Sequence, residues 1–157
     1  GLRAAPPRQK PTAATKPGYR PGAKLIAIGS STGGVEALHQ VIPNFPENCP
    51  PTVITQHMPA SFTKTFADRL NQVSAATVSE AQEGDPLVPG RVYVAPGGEA
   101  HLQVKRDGTR LACHLFEGAL TSGHRPSVDV LFTSVASIAG ASAIGVSSRT
   151  GPAPNAR

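Results

Sequence analysis

From Leu25 onward, short apolar runs of strand length alternate with segments whose apolar residues recur at helical spacing. No other feature limits the fold as much. KLIAIG (24–29) reads as a buried strand, and VEALHQVI (35–42) as a helix that ends before Pro43. PTVITQH (51–57) is a second strand, and ASFTKTFADRLNQV (60–73) an amphipathic helix expected to place Phe62, Phe66 and Leu70 on one face. ATVSEA (76–81) and RVYVAP (91–96) are strand-like, and HLQVKR and TRLACHLF flank Asp107-Gly108, a hairpin signal. RPSVDVLFTSVASIAG (125–140) is a further helix and SAIGV (142–146) a final strand. The expected class is therefore α/β, a doubly wound, mostly parallel sheet with helices on both faces and one antiparallel hairpin, incomplete at the C-terminus.

Residues 1–23 are rich in Pro, Ala and basic side chains and contain little to bury, which predicts a disordered linker. The folded domain is expected over 24–146, and SSRTGPAPNAR (147–157) as a tail of different character. The formal charge of +5 belongs to the N-terminal stretch, because six of the fifteen basic residues (Arg3, Arg8, Lys10, Lys16, Arg20, Lys24) precede the first apolar run. Aromatic residues make up 4% of the chain, too few for the interleaved basic and aromatic surface that a nucleic-acid groove needs. Cys49 and Cys113 stand far apart and outside any C-x-x-C pattern, as expected of two incidental thiols in a reducing compartment. No apolar run reaches the length of a membrane span or signal-peptide core, so the expected location is the cytoplasm, without membrane insertion.

The turn in LIAIGSSTGG (25–34) admits two chemistries. Glycines between a strand and a helix point backbone N–H groups at an anion, yet the spelling is neither G-x-G-x-x-G nor a P-loop, which weakens a nucleotide-binding reading. Gly29-Ser30-Ser31-Thr32-Gly33 does satisfy G-x-S-x-G, the elbow that lifts a central serine above a sheet edge. Ser31 would then be the nucleophile, and the N–H of Thr32 would help to stabilise an oxyanion. The plainer alternative is that Ser31 or Thr32 caps the following helix. A serine needs a base, and His57 ends the second strand, at the rim where neighbouring parallel strands deliver their carboxyl ends. His39, His101, His114 and His124 are less well placed, and no histidine pair has metal-ligand spacing, so neither a metal nor a cofactor is expected.

LIAIGSSTGG, VITQHMPASFTKTFADRLN, VSEAQEGDPLVPGRVYVAPGGEAHLQV and HRPSVDVLFTSVASIAG with its following AIGV resemble, in order, the catalytic domain of the bacterial chemotaxis protein-glutamate methylesterases, the CheB family. The resemblance runs from about Lys24 to Val146, and the basic, proline-rich start is similar to the linker that follows a receiver domain in that family. No receiver domain lies within these residues. The resemblance implies hydrolysis of glutamate methyl esters on chemoreceptors and deamidation of receptor glutamines. It also implies Ser31 as nucleophile, His57 as general base and the backbone of Thr32 as oxyanion donor. Methyl-accepting chemoreceptor cytoplasmic domains are the implied partners, and Arg125 could attract their acidic surface.

One departure concerns the end of the chain. After its counterpart of AIGV the family continues with a segment like LTGMGxDG, whose aspartate completes the triad. Here that place holds SSRTGPAPNAR, and no Asp or Glu follows Asp129. A frameshifted or truncated reading frame is the expected explanation, with impaired activity as its consequence. Loss of the orienting aspartate costs a serine triad about 10⁴-fold in rate. The alternatives are a non-catalytic receptor-binding remnant and, less favoured by the motif, a nucleotide-binding α/β domain.

Overall fold

The computed structural model describes residues 24–30, 34–98, 100–119, 125–139 and 143–148. Chain order runs β1 (Leu25–Ser30), α1 (Gly34–Val41), a 3₁₀ turn (Ile42–Asn44), β2 (Thr52–Gln56), α2 (Ala60–Val73), β3 (Thr77–Glu80), β4 (Arg91–Val94), β5 (Ala100–Asp107), β6 (Arg110–Glu117), α3 (Val128–Ala139) and β7 (Ala143–Ser148). Five strands form one sheet in the order β3-β4-β2-β1-β7, and every pairing in it is parallel. The strand order reverses at β1, since the chain proceeds from it toward β2 on one side and returns as β7 on the other. In an open parallel sheet, sites form at the strands' carboxyl ends beside such a reversal.

Alternation along the strands separates two cores, because successive side chains point to opposite faces. Ile28, Ile54, Val92 and Val94 pack with Leu38 of α1 and with Phe66 and Leu70 of α2. Their neighbours Leu25, Ala27, Val53 and Tyr93 face the other way, against Leu131 and Val135 of α3 and Leu102 and Val104 of β5. At β1, β2 and β4 the sheet is thus covered on both faces, as a parallel sheet requires. Gly29 lets α3 approach: a Cβ built there would lie 2.2 Å from Val128 Cγ1.

β5 and β6 form a separate antiparallel sheet joined through Gly108-Thr109, with Asp107 opposite Arg110. Gly108 takes a φ of 65°, which a side chain would resist at that loop position. The hairpin is not a free ribbon. The β3–β4 connection pairs with β6 through Gly84 N to Cys113 O, Cys113 N to Asp85 O and Leu87 N to Leu111 O. The Tyr93 hydroxyl donates to Pro86 O and accepts from Val88 N, tying that connection back to the main sheet.

The expected α2 ends coincide with the observed ones, and the expected last strand extends two residues further, to Ser148. One expectation within α2 is corrected. Phe62 does not share the buried face; it is 59% exposed, and the buried positions are Thr63, Phe66, Ala67 and Leu70. The 3.6-residue repeat explains this, since Thr63, Phe66, Ala67 and Leu70 follow the i, i+3, i+4, i+7 stripe, which excludes Phe62. Among the described residues no helix is long and apolar enough to cross a membrane.

Leu70 is fully buried and Phe62 largely exposed, so the two positions should respond differently to truncation. Leu70→Ala is expected to lower unfolding stability by about 2–5 kcal/mol, and Phe62→Ser to change it by less than about 0.5 kcal/mol. Urea titrations at constant slope measure both, and equal losses would contradict this assignment of the face.

Candidate functional site at the carboxyl rim of the sheet

β1 and β2 run in register to their last residues, with Ser30 opposite Gln56. The next N–H after β2, that of His57, donates to the Ser30 carbonyl at 3.2 Å. The chain therefore leaves both strands at neighbouring points of one rim. His57, predicted as the base, stands there half-buried with its Nε2 shielded from solvent. Ser31 and Thr32, predicted as nucleophile and oxyanion donor, lie outside the described residues, as do His124, the expected linker 1–23 and the residues after Ser148.

Described residues on each side of 31–33 show what the glycines do. Gly34 opens α1, and a Cβ built on it would lie 1.4 Å from Ser30 Oγ and 2.9 Å from Gln56 Oε1. Its missing side chain provides space, not backbone freedom. Ser30 and Gln56 are each 1% exposed, and Gln56 Nε2 donates to the His57 carbonyl at 3.2 Å. Ser30 Oγ finds no partner among the described residues.

The β4–β5 connection closes over the chain just after His57. A Cβ on Gly97 would sit 2.6 Å from Met58 O and 3.0 Å from Ala60 N, so the two backbones touch. Thr63 locks this contact, accepting from Gly97 N at 3.2 Å and donating to Glu80 Oε2 at 2.5 Å. Arg125 reaches the same loop, its Nε donating to Gly98 O at 3.1 Å and its Nη1 to Gly118 O at 3.0 Å. Two donor nitrogens of Arg125, the residue expected to attract a receptor's acidic surface, are thus engaged by backbone carbonyls of this fold.

His101 is 1% exposed and lies behind that clamp. Ser127 N–H donates to its Nδ1 at 3.1 Å, so Nε2 carries the proton and donates to Ala119 O at 2.7 Å. With both nitrogens engaged, His101 is a fastener in a buried corner. His39 packs edge-on against Phe66, and His114 meets Glu83 at 2.7 Å on the hairpin surface. Among the described histidines, His57 alone stands at the carboxyl rim beside β1. Sequence reasoning missed Gln56, Thr63 and His101, whose partners are mostly remote in the chain and leave no local pattern.

The thiols offer no nucleophile. Burial pushes Cys113 up to about 12, with Asp85 adding to the effect and Arg91 opposing it. Cys49 is also raised, again chiefly by burial and partly offset by the N–H of Gly90. A thiolate, not a thiol, is the reactive form.

The fold and rim define a doubly wound α/β domain whose candidate site is built where β1 and β2 end. Comparison with known proteins makes this specific: the family model described as CheB methylesterase matches residues 26–147, and the chain belongs to that family. A protein-glutamate methylesterase/protein-glutamine glutaminase of Rhizobium etli is 60% identical over 128 residues, 82% of this chain and 37% of the relative. One of the same name, numbered 1, from Caulobacter vibrioides is 59% identical over 128 residues, with the same shares. The chain therefore spans little more than a third of the length of these curated relatives. The crystal structure of the Thermotoga maritima CheB methylesterase catalytic domain superposes with a TM-score of 0.77 at 41% identity, covering 80% of this chain and 67% of that one.

Native Cys49 and Cys113 are expected to resist alkylation by iodoacetamide at pH 8 and to react on unfolding. The Cys113 thiol ionises at its ordinary 9.0 when unfolded but holds its proton to about 12 when folded. Its contribution to stability is thus intact below about pH 9 and lost as pH rises toward 12. Stoichiometric alkylation of the folded chain would contradict the burial.

Proposed function

We propose that this chain carries the ester-hydrolysing part of a serine-type protein-glutamate methylesterase, with Ser31 as nucleophile, His57 as general base and the N–H of Thr32 in the oxyanion site. The observation that carries the reading is the hydrogen bond from His57 N to Ser30 O, which sets His57 beside the end of β1, the strand that leads in sequence into Ser31. Residues 24–148, through the end of β7, form the catalytic unit, with 1–23 a linker and 149–157 a segment of different composition. The setting is the cytoplasm, and the partners are the cytoplasmic domains of methyl-accepting chemoreceptors.

In the first step Ser31 Oγ attacks the γ-ester carbonyl while His57 takes its proton, and the developing oxyanion accepts a bond from Thr32 N–H. Collapse expels methoxide, which leaves as methanol with the proton from His57. Water then attacks the acyl-enzyme with His57 again as base, releasing glutamate and restoring Ser31. A receptor glutamine follows the same path, with ammonia as the leaving group.

Sequence content qualifies the rate. The given residues after Asp129 include no Asp or Glu. A polypeptide of these 157 residues alone should hydrolyse about 10⁴-fold more slowly than one that carries an aspartate to orient the base. The same observation favours a second reading, a receptor-binding remnant without turnover.

Methanol release from a methylated receptor cytoplasmic domain discriminates between them. Activity is expected in a version carrying a glycine-rich, Asp-containing segment after β7, and Ser31→Ala or His57→Gln should each reduce it at least about 10³-fold. Restored activity indifferent to Ser31→Ala would overturn the nucleophile. Receptor pull-down without methanol from either polypeptide would establish the second reading.

A further inference from the structure

Three polar or side-chain-free positions from three different elements meet beneath the rim. They are Ser30 at the end of β1, Gln56 at the end of β2 and Gly34 at the start of α1. Gln56 is the most unusual of them, a long amide only 1% exposed in the middle of a sheet. A buried amide is retained at a cost unless it makes hydrogen bonds, and a methionine of similar length would fill the space without that cost. Its Nε2 donates to the carbonyl of His57, the residue that follows it. Its Oε1 lies 2.9 Å from where a Cβ of residue 34 would stand, and Ser30 Oγ lies 1.4 Å from the same point.

We propose that Gln56 is a positioning residue for His57, held in place by Ser30 and by the space left open at Gly34. This rests on the reading of His57 as the base and goes beyond it. The amide fixes the His57 carbonyl, while the His57 N–H is already fixed by the Ser30 carbonyl at 3.2 Å. With both of its backbone polar groups held, the Cα–Cβ direction of His57 is set before its side chain meets any partner. Gly34 begins α1, so the packing that seats the Gln56 amide also seats the first residue of that helix. One compact contact thus sets the spacing between His57 and the start of α1. A catalytic group displaced by about 1 Å costs about 10²-fold in rate.

The test uses the full chain with Gln56→Met, Gln56→Glu and Gly34→Ala, each checked for cooperative melting. Two readouts are followed: the rate at which a fluorophosphonate labels Ser31, with the site read by peptide mass spectrometry, and the NMR titration of the His57 ring. Gln56→Met is expected to melt cooperatively yet label about 10–100-fold more slowly, with displaced His57 ring resonances. Gln56→Glu removes the Nε2 donor to the His57 carbonyl and sets a carboxylate against it, and should likewise slow labelling and displace the His57 ring resonances. Gly34→Ala should reproduce the slow labelling, because its methyl group displaces Ser30 and Gln56 together. If wild-type label appears elsewhere than Ser31, the proposed function falls, and the His57 titration alone decides the positioning role. Folded Gln56→Met and Gln56→Glu variants with wild-type His57 shifts and titration midpoint would overturn that role. If Gln56→Met does not melt cooperatively, Gln56→Glu and Gly34→Ala decide it in the same way.

Discussion

The in-register parallel pairing of β1 with β2 is the constraint on which the rest of the structure depends. β1 is flanked on both sides, by β2 and by β7, and both of its faces are packed, so its residues have little freedom to slip. A slip of one residue would exchange Ile28 with Gly29 across the sheet and send every side chain to the wrong core. Because the register holds, the end of β1 and the end of β2 are fixed relative to one another. The chemistry proposed at the rim uses that fixed relation more than it uses any single side-chain contact.

Around this relation the structure adds successive layers of support. Gly97 brings the β4–β5 connection into backbone contact with Met58 and Ala60, and Thr63 fastens it to β3 through Glu80. Arg125 and His101 then secure the segment leading into α3 against the loop and the hairpin. Apart from the Thr63–Glu80 bond, these fasteners are hydrogen bonds between side chains and backbone, which is how irregular connections satisfy their polar groups when they lie near a core. The result is a rim held from several directions, suited to chemistry that depends on placement.

Much of this fold was legible because it is written in local periodicity. The short, almost wholly buried runs in LIAIGS and TVITQ, the 3.6-residue stripe of α2 and the Asp-Gly hairpin signal each depend on neighbours a few residues apart. Phe62 shows the limit of that method: it is apolar and helical, but one position off the stripe that faces the sheet. His101 and Arg125 were illegible for another reason. Their partners, Ala119, Ser127, Gly98 and Gly118, come together only when the hairpin folds back beside α3, and nothing in the order of residues announces that meeting. At the site, His57 could be placed from its position at a strand end, whereas the buried use of Gln56 emerges only from the close approach of Gly34.

β7 has a consequence for how the polypeptide behaves in solution. Among the described residues it pairs with β1 alone, and Ile144 and Val146 are 47% and 46% exposed. A strand with one unsatisfied edge and apolar side chains on an open face is a template for adding another strand. The first extended segment to reach that edge, from the same polypeptide or another molecule, gains ready-made backbone hydrogen bonds. Colloidal behaviour would then depend on concentration and on what lies within reach of β7, even though the rim at the ends of β1 and β2 is untouched.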